Sequence, residues 1–173
     1  MTTPKIVLAL TTLLAACSGP RVPAAVGPTA RGAVCEGGSV RGDADLGRFA
    51  RCERVNGDLD IVAVTDLQAL SHLRYVNGTL AIHRTERLYS LSGLESLRRV
   101  ETLLIERNRG LISVEGLGSL SRAETIRIIG NPRLTSTRGT LDGLGRVATE
   151  VKMFDNAGLR AEGFAMESRV SAL

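Results

Sequence analysis

The sequence predicts an all-β protein, a right-handed parallel β-helix or solenoid of about five short coils. The main observation is an apolar pattern that returns after 23 residues. Its two copies are Leu80, Ile82, Leu88, Leu91, Leu94 and Leu97, then Leu103, Ile105, Leu111, Val114, Leu117 and Leu120. Repeats of this length are typical of solenoids, whose coils must stack to bury their apolar side chains. Long connections between similar strands require parallel pairing, and such crossovers are almost always right-handed.

Each coil is predicted to contain one short strand in which two apolar residues lie two positions apart. The pairs are Leu59 and Ile61, Leu80 and Ile82, Leu103 and Ile105, Ile126 and Ile128, and Val151 and Met153. Both members of a pair should point into the solenoid, because side chains two apart in a strand share a face. The outward positions differ from coil to coil, as in an ordinary solvated or contact face. The apolar Ile129 and Phe154 there indicate either a contact surface or cover by the C-terminal tail.

A polar column is predicted three residues after the second strand position. Its members are Val64, Thr85, Asn108, Asn131 and Asn156. Asparagine at a turn can bond the backbone of its own coil and of the next, which satisfies buried polar groups. We interpret Asn108, Asn131 and Asn156 as a structural ladder rather than as catalytic or ligand-binding residues.

The N-terminus is typical of an export signal. Lys5 precedes an apolar run, Ile6–Leu14, that is too short to span a bilayer as a helix. Leu14, Ala15, Ala16 and Cys17 resemble the bacterial lipobox, which implies a signal peptide over 1–16 and a lipid anchor with acyl chains such as palmitate on Cys17. The alternative is an ordinary secretory signal followed by an unrelated cysteine. By resemblance to enteric sorting, Ser18 after the cysteine points to the outer membrane.

The remaining chain divides into four parts. Residues 17–34, rich in Pro, Ala and Gly, are predicted to be a lipid-anchored flexible tether, 35–54 an N-terminal cap, 55–160 the solenoid, and 161–173 a C-terminal tail. With Cys17 lipidated, Cys35 and Cys52 remain as a pair in a compartment where disulfides persist. Closing their loop would contribute about 3 kcal/mol. The alternative is two free buried thiols.

Composition and motifs argue against several functions. Removing Lys5 with the signal lowers the net charge from +4 to +3, and acidic residues are interspersed among the arginines. A nucleic-acid partner is not expected, because aromatic residues make up only 3% of the chain. We expect no metal, no cofactor and no catalytic residues, since there is no Cys/His metal spacing, phosphate loop or GxSxG elbow. The two histidines, His72 and His83, fall in different parts of a coil.

Positions between Cys35 and Leu159 match a known family pattern. They are Cys52, Val55, Gly57, Leu59 and Ile61; Val76, Gly78, Leu80 and Ile82; Asn108, Leu111, Val114, Gly116, Leu117 and Leu120; and Ile126, Ile128, Asn131, Pro132 and Leu134. Together they resemble the receptor L domain, the ligand-binding β-helix half of insulin and epidermal growth factor receptor ectodomains, which also occurs in bacterial lipoproteins. The resemblance implies the fold and a binding role. We expect one such domain, with no cysteine-rich module, transmembrane segment or kinase, so growth-factor binding is not implied.

The sequence therefore predicts a membrane-anchored bacterial cell-envelope lipoprotein that acts as a non-catalytic binding module for a protein or a glycan. One alternative is a structural envelope lipoprotein without a specific ligand. The other is an enzyme with an unrecognised site.

Overall fold

The computed structural model describes residues 32–136, 148 and 150–159. The predicted signal peptide, Cys17, most of the tether and the predicted tail at 161–173 lie outside the described residues. Among those described, no helix is long and apolar enough to cross a membrane.

The described chain forms one six-stranded sheet in which every neighbouring pair is parallel and the strands follow in sequence order. The strands are β1 (Ala33–Arg41), β2 (Cys52–Val62), β3 (Tyr75–His83), β4 (Arg99–Glu106), β5 (Thr125–Ile129) and β6 (Glu150–Phe154). Within residues 32–136, 148 and 150–159, helix is limited to α1 (Asp43–Leu46) and two 3-10 turns, Gly47–Phe49 and Gln68–Leu70. The predicted all-β parallel solenoid of about five coils is confirmed.

The interior is built from the predicted strand pairs. The register sets Leu59 beside Leu80, Leu80 beside Leu103 and Leu103 beside Ile126. These side chains and their partners two residues on are fully buried, namely Leu59, Ile61, Leu80, Ile82, Leu103, Ile105, Ile126 and Ile128. Val151 and Met153 are only partly buried. Among the described residues, β6 is the last strand of the sheet.

Leucines on the return side of each coil complete the core. Leu67, Leu88, Leu111 and Leu134 are all buried. Gly93 and Gly116 have φ of +107° and +111°, and a Cβ on either would overlap the backbone carbonyl of the preceding coil. Glycine is required there because the backbones of adjacent coils approach closely in a left-handed conformation.

The N-terminal region differs from the prediction in its boundaries. β1 begins at Ala33 and so includes Ala33 and Val34, which were assigned to the tether, and the predicted cap contains a full strand paired with β2. The apolar repeat does not predict this strand, because its first inward position, opposite Leu59, is occupied by Gly38 rather than by an apolar residue. Only Val40, opposite Ile61, fills the second inward position.

Cys35 and Cys52 form a disulfide, with their Cα atoms 5.8 Å apart. The bond links the first two strands at their beginnings and encloses α1 and the first 3-10 turn. Leu46 and Phe49 of this enclosed segment are buried at the end of the core. The segment therefore covers apolar side chains that the first coil would otherwise expose to water.

Candidate binding face

The outward side of the sheet is the most extended regular surface of the described chain. We call it the sheet face and define it by two columns of residues in register across β2–β6. The columns are Asp60, Ala81, Leu104, Arg127 and Lys152, and Val62, His83, Glu106, Ile129 and Phe154. These are the positions that the strand alternation predicted to point outward, and none of them is buried.

Apolar side chains cross the sheet face at its centre and toward β6. Leu104 and Ile129 are half-buried, and the Phe154 side chain beside Ile129 is 48% exposed. Ile129 and Phe154 are neighbours in one column, about 5 Å apart, whereas Leu104 lies diagonally from Ile129 at about 7 to 8 Å, still within reach of a long side chain. An outward apolar patch of this kind is a feature of contact surfaces.

The charges on the sheet face are separated by sign. Asp60 lies on β2, whereas Arg127 and Lys152 lie at equivalent positions on β5 and β6. Asp60 Oδ1 is 2.6 Å from His83 Nε2, and Lys152 Nζ is 2.6 Å from Glu150 Oε1. A partner would therefore meet carboxylates on β2 and β4 and basic side chains on β5 and β6, with Arg41 of β1 beside Val62 at the other edge.

The contacts around Asp60 do not form a nucleophilic triad. Ser39 Oγ donates to Asp60 Oδ2 at 3.5 Å, and His83 contacts the other oxygen of the same carboxylate. Activation of serine requires the imidazole to lie between the hydroxyl and the carboxylate, and here the carboxylate lies between them. His72 is exposed on another part of the coil, next to Ser71. The described residues also contain no cluster of His, Cys, Asp or Glu that could hold a metal ion.

The Asn108 side chain joins two coils behind the sheet face. Its Oδ1 accepts hydrogen bonds from Thr85 N at 3.1 Å and Thr85 Oγ1 at 2.8 Å, and its Nδ2 donates to Ile82 O at 2.9 Å. Asn108 and Thr85 are fully buried. The amide thus satisfies polar groups of the preceding coil that water does not reach.

The same arrangement recurs in the next two coils. Asn131 Oδ1 accepts from Asn108 N at 3.0 Å, and its Nδ2 donates to Ile105 O at 3.0 Å. Asn156 Oδ1 accepts from Asn131 N at 3.0 Å, and its Nδ2 donates to Ile128 O at 2.8 Å. No buried side-chain nitrogen or oxygen in the described residues lacks a partner. The amides of Asn108, Asn131 and Asn156 are thus all hydrogen-bonded within the solenoid.

A column of left-handed residues directly precedes the ladder. Ala63, Arg84, Arg107 and Asp155 have φ between 54° and 56°, and Gly130 at the same position has φ of 67°. This conformation turns the chain from the strand into the ladder residue. The sequence gives little sign of this column, because only Gly130 and, more weakly, Asp155 are of residue types that favour a positive φ.

One carboxylate fixes the turn between the cap and the first coil. Asp43 Oδ2 accepts from the Thr65 hydroxyl at 2.6 Å, and Oδ1 accepts from Thr65 N at 2.8 Å. The bond from the Thr65 hydroxyl, followed by that from its backbone N–H, lowers the pKa of the Asp43 carboxyl below its ordinary value. The charged carboxylate therefore holds α1 against the turn that follows β2.

Comparison with known proteins gives one match. The family model described as receptor L domain matches residues 51–143, more than half of the chain. Neither the curated proteins nor the solved structures gave a significant match.

Proposed function

Because the chain belongs to the receptor L domain family, we propose that it is a non-catalytic binding module that recognises a protein or glycan partner through the sheet face. The observation that carries the proposal is the contrast between the two sides of the sheet. Inward positions repeat the same apolar residues, whereas outward positions combine half-exposed apolar residues with charges separated by sign. Solenoids commonly use such extended faces for binding.

The proposed location is a bacterial cell envelope, with the domain held to the outer membrane by lipid on Cys17. The lipobox-like residues Leu14 to Cys17 support this proposal. The Cys35–Cys52 disulfide agrees with export, since such bonds persist mainly outside the cytosol. A two- or three-chain anchor would be effectively stable at about 0.8 kcal/mol per buried CH₂.

Replacing Cys17 with Ser tests the anchor. The thiol is the attachment atom, so the variant should take up no radiolabelled palmitate and should accumulate as uncleaved precursor. Cys35→Ser is the matched control, because it removes a cysteine that has no place in the lipobox. Normal lipid labelling of Cys17→Ser would refute the lipoprotein proposal.

Photo-crosslinking tests the sheet face. Benzoylphenylalanine would be placed at Leu104 or Ile129 on the face, and at Tyr89 or Ile112 as controls. Both control side chains are exposed, at 54% and 37%, and both lie on the return side of the coil. In cells that produce the protein naturally, irradiation should give the same discrete adduct from both face positions and none from the controls.

Two alternative functions predict other outcomes of this experiment. A structural lipoprotein without a ligand would give no adduct, or the same weak adducts from all four positions. An enzyme with an unrecognised site would require a cluster of ionisable groups that can activate a nucleophile or transfer a proton. The Ser39, Asp60 and His83 contacts are the nearest approach to one, and their order does not activate the hydroxyl.

A further inference from the structure

Five arginines gather where the strands of successive coils begin. They are Arg54, Arg74, Arg98, Arg99 and Arg122, and we call this group the arginine corner. The register places Arg54 beside Tyr75, Tyr75 beside Arg99 and Arg99 beside Arg122. Parallel strands lie about 4.8 Å apart, so these residues form a column that runs across the coils.

Backbone hydrogen bonds fix a second column next to the first. Arg98 N donates to Arg74 O at 2.9 Å, and Arg99 N donates to the same oxygen at 3.1 Å. Arg122 N in turn donates to Arg98 O at 3.1 Å. The main chain therefore fixes where the arginines stand: Arg99 and Arg122 are one strand apart, and Arg54 and Arg99 are two strands apart with Tyr75 between them.

Two of the five arginines already have partners. Arg74 Nη1 lies 3.3 Å from Glu53 Oε1, and the Arg54 guanidinium lies 4.9 Å from the centroid of the Tyr75 ring. These contacts are exposed and contribute little to stability. They do, however, orient the two guanidinium groups.

The other three arginines are the part of the corner open to a ligand. Arg98, Arg99 and Arg122 are exposed, and across the described residues no ion pair within 4.0 Å joins any of them to a carboxylate. Glu101 and Glu124, also exposed, lie two positions after Arg99 and Arg122 and form no ion pair within that distance. With Glu53, these are three acidic residues against five arginines, so the corner keeps a positive charge.

We infer that the arginine corner binds a linear glycan that carries phosphate or sulfate groups. Each guanidinium presents a planar fork that matches a phosphate or sulfate with two hydrogen bonds. Arginines that stand one and two strands apart along a column suit a chain that presents such groups at intervals. This site lies apart from the sheet face and goes beyond the proposed function.

Two observations favour a glycan over other anionic polymers. Single-stranded nucleic acid needs exposed aromatic rings on which bases stack, whereas Tyr75 is half-buried and its ring is covered by Arg54. An interface with a folded protein needs an apolar centre. Among the exposed large hydrophobic residues of the described chain, only Val34 borders the corner, at its edge beside Arg54.

The test compares two triple variants of the full chain for binding to heparin, with desulfated heparin as the probe that keeps carboxylates but lacks sulfate. The corner variant carries Arg98→Ser, Arg99→Ser and Arg122→Ser. The control variant carries three equivalent changes, at Arg87, Arg109 and Arg133. All three control residues are exposed, and they lie about half a coil away. Both variants lose three positive charges, so any difference between them reports position rather than net charge.

We expect the corner variant to bind heparin at least about tenfold more weakly than the wild type, and the control variant to stay within about threefold. The dependence of log Kd on log salt should also become shallower by about 3 in the corner variant alone. Replacing the same three residues with Lys keeps the charge and should still weaken binding about fivefold, because Lys lacks the planar fork. Circular dichroism and thermal melts would establish that each variant is folded.

Several outcomes would overturn the inference. Equal losses of heparin affinity in the two Ser variants would show that net charge, not position, sets the binding. Equal heparin affinity of the Lys variant and the wild type would show that the arginines make no bidentate contact. Tighter binding to single-stranded DNA, polyglutamate or phosphatidylglycerol vesicles than to heparin, or no preference over desulfated heparin, would also overturn the inference. Failure of the sheet-face proposal is separate, because Leu104→Ser should leave heparin binding unchanged while it weakens the crosslink from Ile129.

Discussion

Replacing Asn108 with Ala should destabilise the protein as much as an apolar truncation in the core. The change removes the acceptor for Thr85 N and Thr85 Oγ1 and the donor to Ile82 O. All three groups lie where Asn108 and Thr85 are 0% exposed. A buried polar group left without a partner costs about 1 to 3 kcal/mol, so three such groups should lower the free energy of unfolding by about 3 kcal/mol or more.

Asn156→Ala is the matched control. Asn156 also makes three hydrogen bonds, from Asn131 N at 3.0 Å, from Asn131 Nδ2 at 3.1 Å and to Ile128 O at 2.8 Å. Its side chain is only half-buried, since no described coil stacks beyond it. Water can replace the lost bonds there, so the cost should fall to about 1 kcal/mol.

Urea unfolding at pH 7, followed by circular dichroism, measures both losses under the same conditions. The m-values should match the wild type, so that shifts in midpoint report stability alone. Equal losses for the two variants would refute the argument that burial sets the cost of breaking the ladder. A loss within 0.5 kcal/mol for Asn108→Ala would show that the ladder does not stabilise the solenoid.

Three further predictions concern single positions. In urea unfolding, Ile105→Ala should lower the free energy of unfolding by about 2 to 5 kcal/mol and Glu106→Ala by less than about 0.5 kcal/mol. Equal losses would mean that the inward and outward positions of the strand are assigned the wrong way round. Arg107 has φ of 54°, a left-handed conformation that costs a non-glycine residue about 1 to 2 kcal/mol. Glycine avoids this strain at an entropy cost of about 0.5 to 1 kcal/mol, so Arg107→Gly should raise the melting temperature. A clear fall in the melting temperature would contradict this. Because the folded state lowers the pKa of Asp43, its contribution is full above the unfolded pKa and is lost as pH falls through the folded pKa. Asp43→Asn should therefore be less stable than the wild type at pH 7, and the difference should shrink as pH falls below the ordinary aspartate pKa of about 3.9. A difference in stability that stays constant with pH would show that the ionised carboxylate of Asp43 does not stabilise the fold.

The interior of the fold could be predicted from the sequence because its residues repeat in both type and spacing. Leu103 and Ile105 follow Leu80 and Ile82 at the same interval, and the register places them side by side. Burial in a stacked coil requires the same apolar volume at the same place each time. A sequence that meets this requirement therefore shows apolar residues at a constant interval, from which the interior can be predicted.

The arginine corner could not be predicted in the same way, although each coil contributes one residue to its first column. Arg54 and Tyr75 lie five residues before Leu59 and Leu80, whereas Arg99 and Arg122 lie four residues before Leu103 and Ile126. The difference arises from the register shift between Val76 and Thr79, where β3 holds one more residue than β4. If residues are aligned at a constant distance before the apolar pairs, Arg54 and Tyr75 fall in a different column from Arg99 and Arg122, although the sheet places them side by side.

The same separation of tasks explains how one small solenoid can present two surfaces. The stacking of coils depends on inward pairs and on the buried amides of the ladder, none of which reaches the sheet face or the arginine corner. Outward residues can therefore differ in every coil, as Asp60, Ala81, Leu104 and Arg127 do, without disturbing the packing behind them. A ligand at either surface alters the affinity of the other only if it binds two states of the solenoid differently. Along β3 the buried Val76 and Leu80 lie between Tyr75, which borders the corner, and Ala81 of the sheet face. Because close-packed interiors resist rearrangement, we expect the two sites to be occupied independently.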